Sequence, residues 1–322
     1  MSAASDPVRA LISLIPPDVD PGEAVGVIAS LLRWAARQAG ASPEETEEAV
    51  AATLAFLRRR LEGDYVVDEF GFDREFTERV YLPVLRPLYR RWFRVEVRGV
   101  ENIPSEGGAL VVSNHGGTIA IDTVMTTVAV HDAHPAHRFL RPLAADLVFA
   151  SPLVGDTARR TGAAVAGPAD AARLLEAGEV VGVWPEGFKG VGKRFADRYR
   201  LQRFGRGGFV ATALRAGVPI IPCSVVGAEE AYPMVADLAP LAKLLGLPYF
   251  PVTPTFPHLG LLGLVPLPTK WIIDFGPPVD TGGLGPEAAD DPLAVFELTD
   301  HVRETIQRTL HTLLAQRGAP FS

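Results

Sequence analysis

Cysteine is almost absent from this 322-residue sequence, in which Cys223 stands alone. A single cysteine excludes an intramolecular disulfide and fits a reducing compartment. Lysine is scarce too, four against 27 arginines, which reads as a bias of composition. Excess positive charge is missing: the formal net charge is −7, which argues against general nucleic-acid binding. Long helical apolar runs are also missing. The uncharged stretch 244–269 exceeds the ~18 residues of a membrane span, yet it holds six prolines. Each removes a backbone donor and blocks helix continuation. The first residues, MSAASDPVRALISLIPPD, carry one Arg and a short apolar run before Pro16-Pro17, and do not read as a signal peptide. The expectation is a cytoplasmic protein, soluble or peripheral at the inner face of the cell membrane.

Apolar residues make up 48% and charged residues 21%, ordinary globular values that exclude a disordered or fibrous chain. The 31 glycines and 28 prolines follow no period and mark short turns. The net charge hides an asymmetry. Residues 187–208 carry seven basic residues and one Asp, a net of +6, leaving −7 − 6 = −13 for the remainder. A basic patch on an acidic protein points to an anionic ligand or surface.

Residues 1–92 read as helical. Asp20, Pro21 and Glu23 with Gly40, then Ser42, Pro43 and Glu45 with Gly63, give start and stop signals for two helices. A third pattern runs from Asp73 to Trp92, with Pro83 and Pro87 expected to kink it. From Phe93 the texture changes. The β-rich runs 94–97, 109–114, 180–184, 218–226 and 271–275 alternate with helical stretches near 119–130, 169–177, 206–216 and 292–316. Apolar strands joined by helices predict an α/β fold, a mixed, largely parallel sheet flanked by helices. The expected organisation is an N-terminal helical region, 1–92, before one α/β domain, 93–322.

Two strand ends carry candidate chemistry. In SNHGGTIAID, 113–122, an apolar strand delivers Asn114 and His115 to its carboxyl end, where ligands bind in open α/β sheets. Gly116-Gly117 follow, then a helix bearing Asp122. A His is suited to act as a base near neutral pH, and an Asp can fix its tautomer. A seven-residue separation on a continuous helix spans ~10.5 Å, too far for a hydrogen bond. The two glycines must therefore make a non-helical turn. In VVGVWPEGFKG, 180–190, a second strand ends at Glu186 and Gly187. Glu186 can accept hydrogen bonds from a substrate hydroxyl, and Gly187 permits close approach or a positive φ. A third run, AGVPIIPCSVVGAEE, brackets a strand with Pro219 and Pro222; proline there predicts an edge, a first residue or a bulge.

In this order the three blocks, within roughly residues 93–280, resemble the phospholipid/glycerol acyltransferase family, the relatives of 1-acylglycerol-3-phosphate acyltransferases. The resemblance implies a catalytic dyad of His115 and Asp122, an acceptor site at Glu186 and Gly187, and a structural role for Pro219 and Pro222. Asn114, Gly116 and Gly117 join the substrate site. No cofactor or metal is implied; acyl-CoA or acyl carrier protein is a substrate and partner, with a lipid-like alcohol as acceptor and a membrane surface alongside. Two departures matter. Six residues separate His115 from Asp122 where the family usually has four, a spacing that resembles the mono- and diacylglycerol-acyltransferase-like branch. Gly167-Pro168 stand where the family often has an Arg for an acceptor phosphate. Lys189, Lys193 or Arg194 are the candidates to replace it or to bind coenzyme A phosphates, and backbone N–H groups near Gly116 or Gly187 are candidate oxyanion donors.

Competing readings are weaker. A serine hydrolase on an α/β sheet needs a GxSxG turn, which this chain lacks. His131, His134 and His137 fit no zinc spacing and are expected to face solvent. Cys223 is expected to be a packed core thiol. A non-catalytic lipid-binding protein on the same fold would have no use for the base. Segment 244–269 is expected to form a lid over an acyl groove, lined by Leu259, Leu261, Leu262, Leu264 and Val265, to dip into a membrane interface near Phe250, Phe256 and Trp271, or to do both; the alternative is an ordinary proline-rich wrap around the core.

Overall fold

A computed structural model describes residues 29, 30, 33, 42–151, 154–279, 281 and 284–321. The chain divides into two compact units, Met1–Asp68 and Glu69–Ser322. The expected helix 20–40 lies outside the described residues except at 29, 30 and 33. In the first unit, helix Pro43–Glu62 starts at a reciprocal capping box. Ser42 Oγ accepts the Glu45 N–H at 3.2 Å and the Glu45 carboxylate accepts the Ser42 N–H at 2.7 Å. Gly63, at φ 77, ends it.

The unit boundary at 68/69 precedes the expected one at 92/93. The reason is packing: Leu82, Tyr89 and Phe93 share a core cluster with Met125, Val128 and Trp271 of the α/β unit. This helical segment begins where the Asp73 carboxylate caps the Phe76 N–H at 2.9 Å. Around Pro83 and Pro87 the hydrogen-bond ladder widens to i→i+5 turns, from Leu82 to Thr77 and from Phe93 to Leu88. Proline has no N–H to give, and a wide turn absorbs the gap.

The strands, in chain order, are β1 Glu96–Arg98, β2 Ala109–Ser113, β3 Leu140–Ala144, β4 Ala164–Val165, β5 Val180–Val183, β6 Ile220–Val226, β7 Ala236–Asp237, β8 Pro251–Val252 and β9 Ile272–Phe275. Seven form one sheet in the order β1-β9-β6-β2-β5-β3-β4, and β7 pairs β8 apart from it. Every pairing in the large sheet is parallel except β6 with β9. Strand β2 is buried along its whole length. Leu110 and Val112 join a core with Val210, Val302, Ile306 and Leu310 from helices Gly208–Ala216 and Pro292–Arg317. Ala109 and Val111 join the other with Met125 and Val128 of helix Ile121–Ala133. Alternate residues thus serve opposite layers, as a sheet covered on both faces requires.

Three expectations need correction. Pro222 lies in a central strand, not at an edge. Its carbonyl accepts the Gly276 N–H at 2.8 Å, so its backbone faces β9 just beyond the last ladder pair, Cys223 with Phe275, where no ladder donor is needed. His131 and His134 are buried rather than solvent-facing. His134 Nε2 donates to the Ile103 carbonyl at 2.9 Å and its Nδ1 accepts the Ala136 N–H at 3.1 Å, so it is a satisfied structural histidine; only His137 of the three is exposed. Trp271 is fully buried, stacked on Phe93 at 4.6 Å, and lies away from any interface. Cys223 is a buried free thiol, and burial pushes its pKa well up.

Candidate active site

Strands β5, β2 and β6 are parallel neighbours, so their carboxyl ends emerge on one edge. Each end carries part of a polar cluster: Asn114 and His115 after β2, Glu186 after β5, and Glu229 and Glu230 after β6.

The chain between β2 and helix Ile121–Ala133 is the non-helical turn that the spacing demanded. Gly117 and Thr118 take positive φ, 93 and 64, which reverses the chain before the helix. His115 Nδ1 comes to 2.7 Å from Asp122 Oδ2. The same oxygen accepts the Gly116 N–H at 3.0 Å, and Oδ1 accepts the Thr123 N–H at 2.8 Å. Three donors thus converge on a fully buried carboxylate. Because a carboxylate only accepts, this contact assigns the imidazole proton to Nδ1 and leaves the lone pair on Nε2. Nε2 bonds to no described residue, and the imidazole lies 5.9 Å from the Trp184 ring.

The other predicted residues are spent on holding this turn. Asn114 spans to β6, donating to the Val225 carbonyl at 2.9 Å and accepting the Val225 N–H at 2.7 Å. Glu186 is buried; it accepts the His115 N–H at 2.8 Å on one oxygen and the Gln202 N–H at 2.6 Å on the other. It fixes the backbone of His115 instead of facing a substrate hydroxyl. Lys193 is buried as well, its ammonium 3.4 Å from Glu186 and 3.2 Å from Glu229. Two carboxylates therefore consume the charge expected for a phosphate. The Gly116 N–H goes to Asp122 and the Gly187 N–H to the Trp184 carbonyl at 3.0 Å, so neither donor is open for an oxyanion. Gly187 has φ 56 with ψ −145, a conformation that favours glycine. Lys189 and Arg194 are exposed, and remain the cations at the site that face solvent.

Sequence reasoning missed Gly190 and Glu229. A Cβ on Gly190 would lie 2.9 Å from the His115 Cβ and 2.6 Å from that of Glu186, so its bare backbone seats the His115 turn. A Cβ on Gly116 would lie 2.5 Å from the Glu229 Cγ, so Glu229 underlies the turn from the β6 side. Glu229 Oε1 accepts the Tyr199 N–H at 3.0 Å besides Lys193. Burial pushes its carboxyl up to about 7, against the pull of Lys193. Next to it, Glu230 takes a bidentate grip from Arg317, at 2.7 and 2.9 Å, and the Tyr199 hydroxyl. The signal available was the Glu229-Glu230 pair directly after an apolar strand.

Fold and site together define an α/β protein with an oriented imidazole at the carboxyl edge of its sheet. The Acyltransferase family model matches residues 94–226, which spans β2, the His115 turn, Glu186 and β6. Uncharacterized protein Rv0502 of Mycobacterium tuberculosis is 59% identical over 281 residues, 87% of this chain and 78% of that protein. Uncharacterized protein ML2427 of Mycobacterium leprae is 59% identical over 277 residues, 86% and 76%. The crystal structure of the 1-acyl-sn-glycerophosphate (LPA) acyltransferase PlsC from Thermotoga maritima superposes with a TM-score of 0.46 and 22% identity, covering 75% of this chain and 83% of that one. The chain belongs to the acyltransferase family.

Proposed function

We propose that this acyltransferase moves a fatty acyl group from an acyl thioester, acyl-CoA or acyl carrier protein, to the hydroxyl of a glycerolipid or another lipid-like alcohol. The observation that carries this reading is the 2.7 Å contact of His115 Nδ1 with buried Asp122, which leaves Nε2 as the base. In this reading His115 Nε2 takes the hydroxyl proton as the alcohol oxygen attacks the thioester carbonyl. Asp122 holds the ring and offsets its charge. The C–S bond breaks, the imidazolium returns its proton to the leaving thiolate, and no acyl-enzyme forms. Lys189 and Arg194 are the exposed cations available to phosphates of the donor. Gly167 supports an acceptor without a phosphate, since no cation stands at that position.

The test is thiol release from mixed acyl-CoA with a panel of acceptor alcohols, with ester products identified by mass spectrometry. Release that depends on acceptor is expected, with a neutral lipid-like alcohol used at least as well as lysophosphatidate. Release without acceptor would mark a thioester or lipid ester hydrolase. Acyl-lipid binding with no turnover would mark a non-catalytic carrier. An absolute requirement for an acceptor phosphate would overturn the acceptor assignment.

A further inference from the structure

The segment 235–265, which holds β7, helix Ala239–Leu245, β8 and the short turn Gly260–Leu264, is rich in outward apolar side chains among the described residues. Nine of the 21 exposed large apolar side chains among the described residues fall in it, so this is a patch and not scatter. Leu244 is 80% and Leu262 73% exposed. Contiguous apolar exposure of this kind marks an interaction surface. It does not act as a lid over an internal groove, because Leu259, Leu262, Leu264 and Val265 point outward; the Leu261 side chain lies outside what is described.

Much of the segment's hydrogen bonding is internal, although Lys243 and His258 are exposed. Its single acid, Asp237, accepts the Phe250 N–H at 2.9 Å. The Val235 and Leu238 N–H groups bond to Val252 and Phe250 carbonyls, and Thr253 N–H bonds to the Phe256 carbonyl. An irregular chain whose backbone is satisfied on itself can meet an apolar phase without losing hydrogen bonds.

A basic stretch adjoins the start of the patch. Lys189, Arg194, Arg198, Arg200, Arg203 and Arg206 are all exposed. Their stretch is tied to the start of the patch by the Phe195 N–H, which donates to the Met234 carbonyl at 2.8 Å. Lys243 adds an exposed cation inside it. Apolar side chains beside a basic stretch match an anionic lipid surface, which offers hydrocarbon below a negative headgroup layer. A two-fold contact with a second copy would set this basic stretch against itself.

The patch is also fastened to the catalytic turn. Thr118, three residues after His115, gives its carbonyl to the Tyr249 hydroxyl and its own hydroxyl to the Tyr232 carbonyl at 2.8 Å. The Tyr232 hydroxyl reaches on to the Leu264 carbonyl at 2.7 Å. Ile119 and Phe188, beside the turn and Gly187, are themselves exposed, so apolar surface continues to His115.

We propose that residues 235–265 form a docking surface for an anionic lipid bilayer, and that its fastening to Thr118 sets the His115 turn against that bilayer. The docking half stands without the proposed chemistry; the delivery of acceptor from the bilayer rests on it.

The test is co-sedimentation of the full chain with phosphatidylcholine vesicles, with and without phosphatidylglycerol, at low salt and at about 0.5 M, where charge interactions are largely screened. Binding to the anionic vesicles is expected, weakened several-fold by salt. Leu244→Asp with Leu262→Asp is expected to cut it about tenfold or more at an unchanged melting temperature, and the milder Leu-to-Ser pair serves if the Asp pair fails to fold. Tyr249→Phe is expected to bind vesicles like wild type but to lower turnover on vesicle-borne acceptor more than on a short-chain, water-soluble one. Equal vesicle binding by the wild type and a folded Leu variant overturns the proposal. So does a Leu-dependent change in oligomer mass, or Leu-dependent capture of acyl carrier protein, by a chain that ignores vesicles. Vesicle binding with no acyl transfer would instead count against the proposed chemistry and leave the docking surface standing.

Discussion

The His115 turn and the 235–265 segment lie side by side, joined at Thr118, and solve opposite problems. Around His115 the polar side chains are buried and paired: Asn114 with Val225, Asp122 with three donors, Glu186 with two backbone N–H groups, Lys193 with two carboxylates. In the segment, leucines stand outside while the one carboxylate, Asp237, is spent on the Phe250 N–H. The first arrangement gives rigidity. A buried charge is tolerable only when paired, so each group pins its neighbour and the imidazole is held without help from a substrate. The second leaves apolar area in contact with water, at a cost of roughly 25 cal/mol per Å². A partner has to cover that area before the cost is recovered.

The sharpest way to break this comparison is at the imidazole of the turn, whose Nε2 bonds to no described residue. His115→Ala is expected to lower acyl transfer by about 10²–10⁴, the usual worth of a positioned base. Asp122 keeps its Gly116 and Thr123 donors in that variant, so the melting temperature should scarcely move. Asp122→Asn is expected to cut the rate through misorientation of the ring. Thiol release from acyl-CoA measures both, and near-wild-type turnover in His115→Ala removes the base from the mechanism.

Next comes a pair of lysines that differ only in burial. Lys193→Met leaves Glu186 and Glu229 facing each other with no cation between them. Breaking a buried ion pair on one side costs about 3–5 kcal/mol, so denaturant unfolding should show a loss of that size. Lys189 is exposed, and Lys189→Met should change stability by no more than about 0.5 kcal/mol while raising the KM for acyl-CoA. If the two lysines behave alike in unfolding, the rigid network around His115 is not there.

Glu229 gives a pH signature. Its carboxyl is pushed from 4.5 up to about 7 by burial, with Lys193 opposing. Below 4.5 both folded and unfolded forms hold the proton. Between 4.5 and about 7 the folded form binds more protons than the unfolded one, so stability falls with rising pH across this window and is level above it. Glu229→Gln keeps an acceptor for the Tyr199 N–H and should flatten this component of a melting-temperature profile. An unchanged slope would assign it to another group.

The sheet and the His115–Asp122 contact were legible in the sequence because they rest on pattern. Runs such as Ala109–Ser113 and Val180–Val183 are apolar enough to read as two-faced strands, and the His115–Asp122 spacing forces a turn by arithmetic alone. What escaped was decided by tertiary partners. β3 carries Arg141 and Pro142 and does not look like a strand, yet Arg141 is buried because its guanidinium stacks on Phe72 and its Nε donates to the Gly162 carbonyl. Glu186 and Lys193 are of types that bind ligands, but Glu186 is held by His115 and Lys193 by Glu229, partners distant in sequence, besides each other. Leu244 and Leu262 are of types that fill cores, and proline-broken chain keeps them out. Residue type misled in both directions wherever the partner lay far along the chain.

The smallest expected effect tests the acceptor. β4 is the last strand of the sheet, and Gly167 follows it at φ −128 and ψ 146, extended backbone that any residue adopts. A Cβ there meets nothing within 4 Å, so Gly167→Arg needs no rearrangement. The new cation would sit at the start of helix Pro168–Glu176, where the helix dipole disfavours it by about 0.3–1 kcal/mol. Against this, a charge-assisted hydrogen bond to an acceptor phosphate is worth about 1.5–3 kcal/mol when well placed. The net should raise the preference for lysophosphatidate over a neutral monoacylglycerol by roughly 3–10-fold in kcat/KM, an increment of about 1 kcal/mol. The ratio matters more than either rate, since a general loss of activity cancels from it. A folded variant with the wild-type ratio would show that this edge of the sheet does not meet the acceptor headgroup. The neutral-acceptor reading would then lose the support that Gly167 lends it.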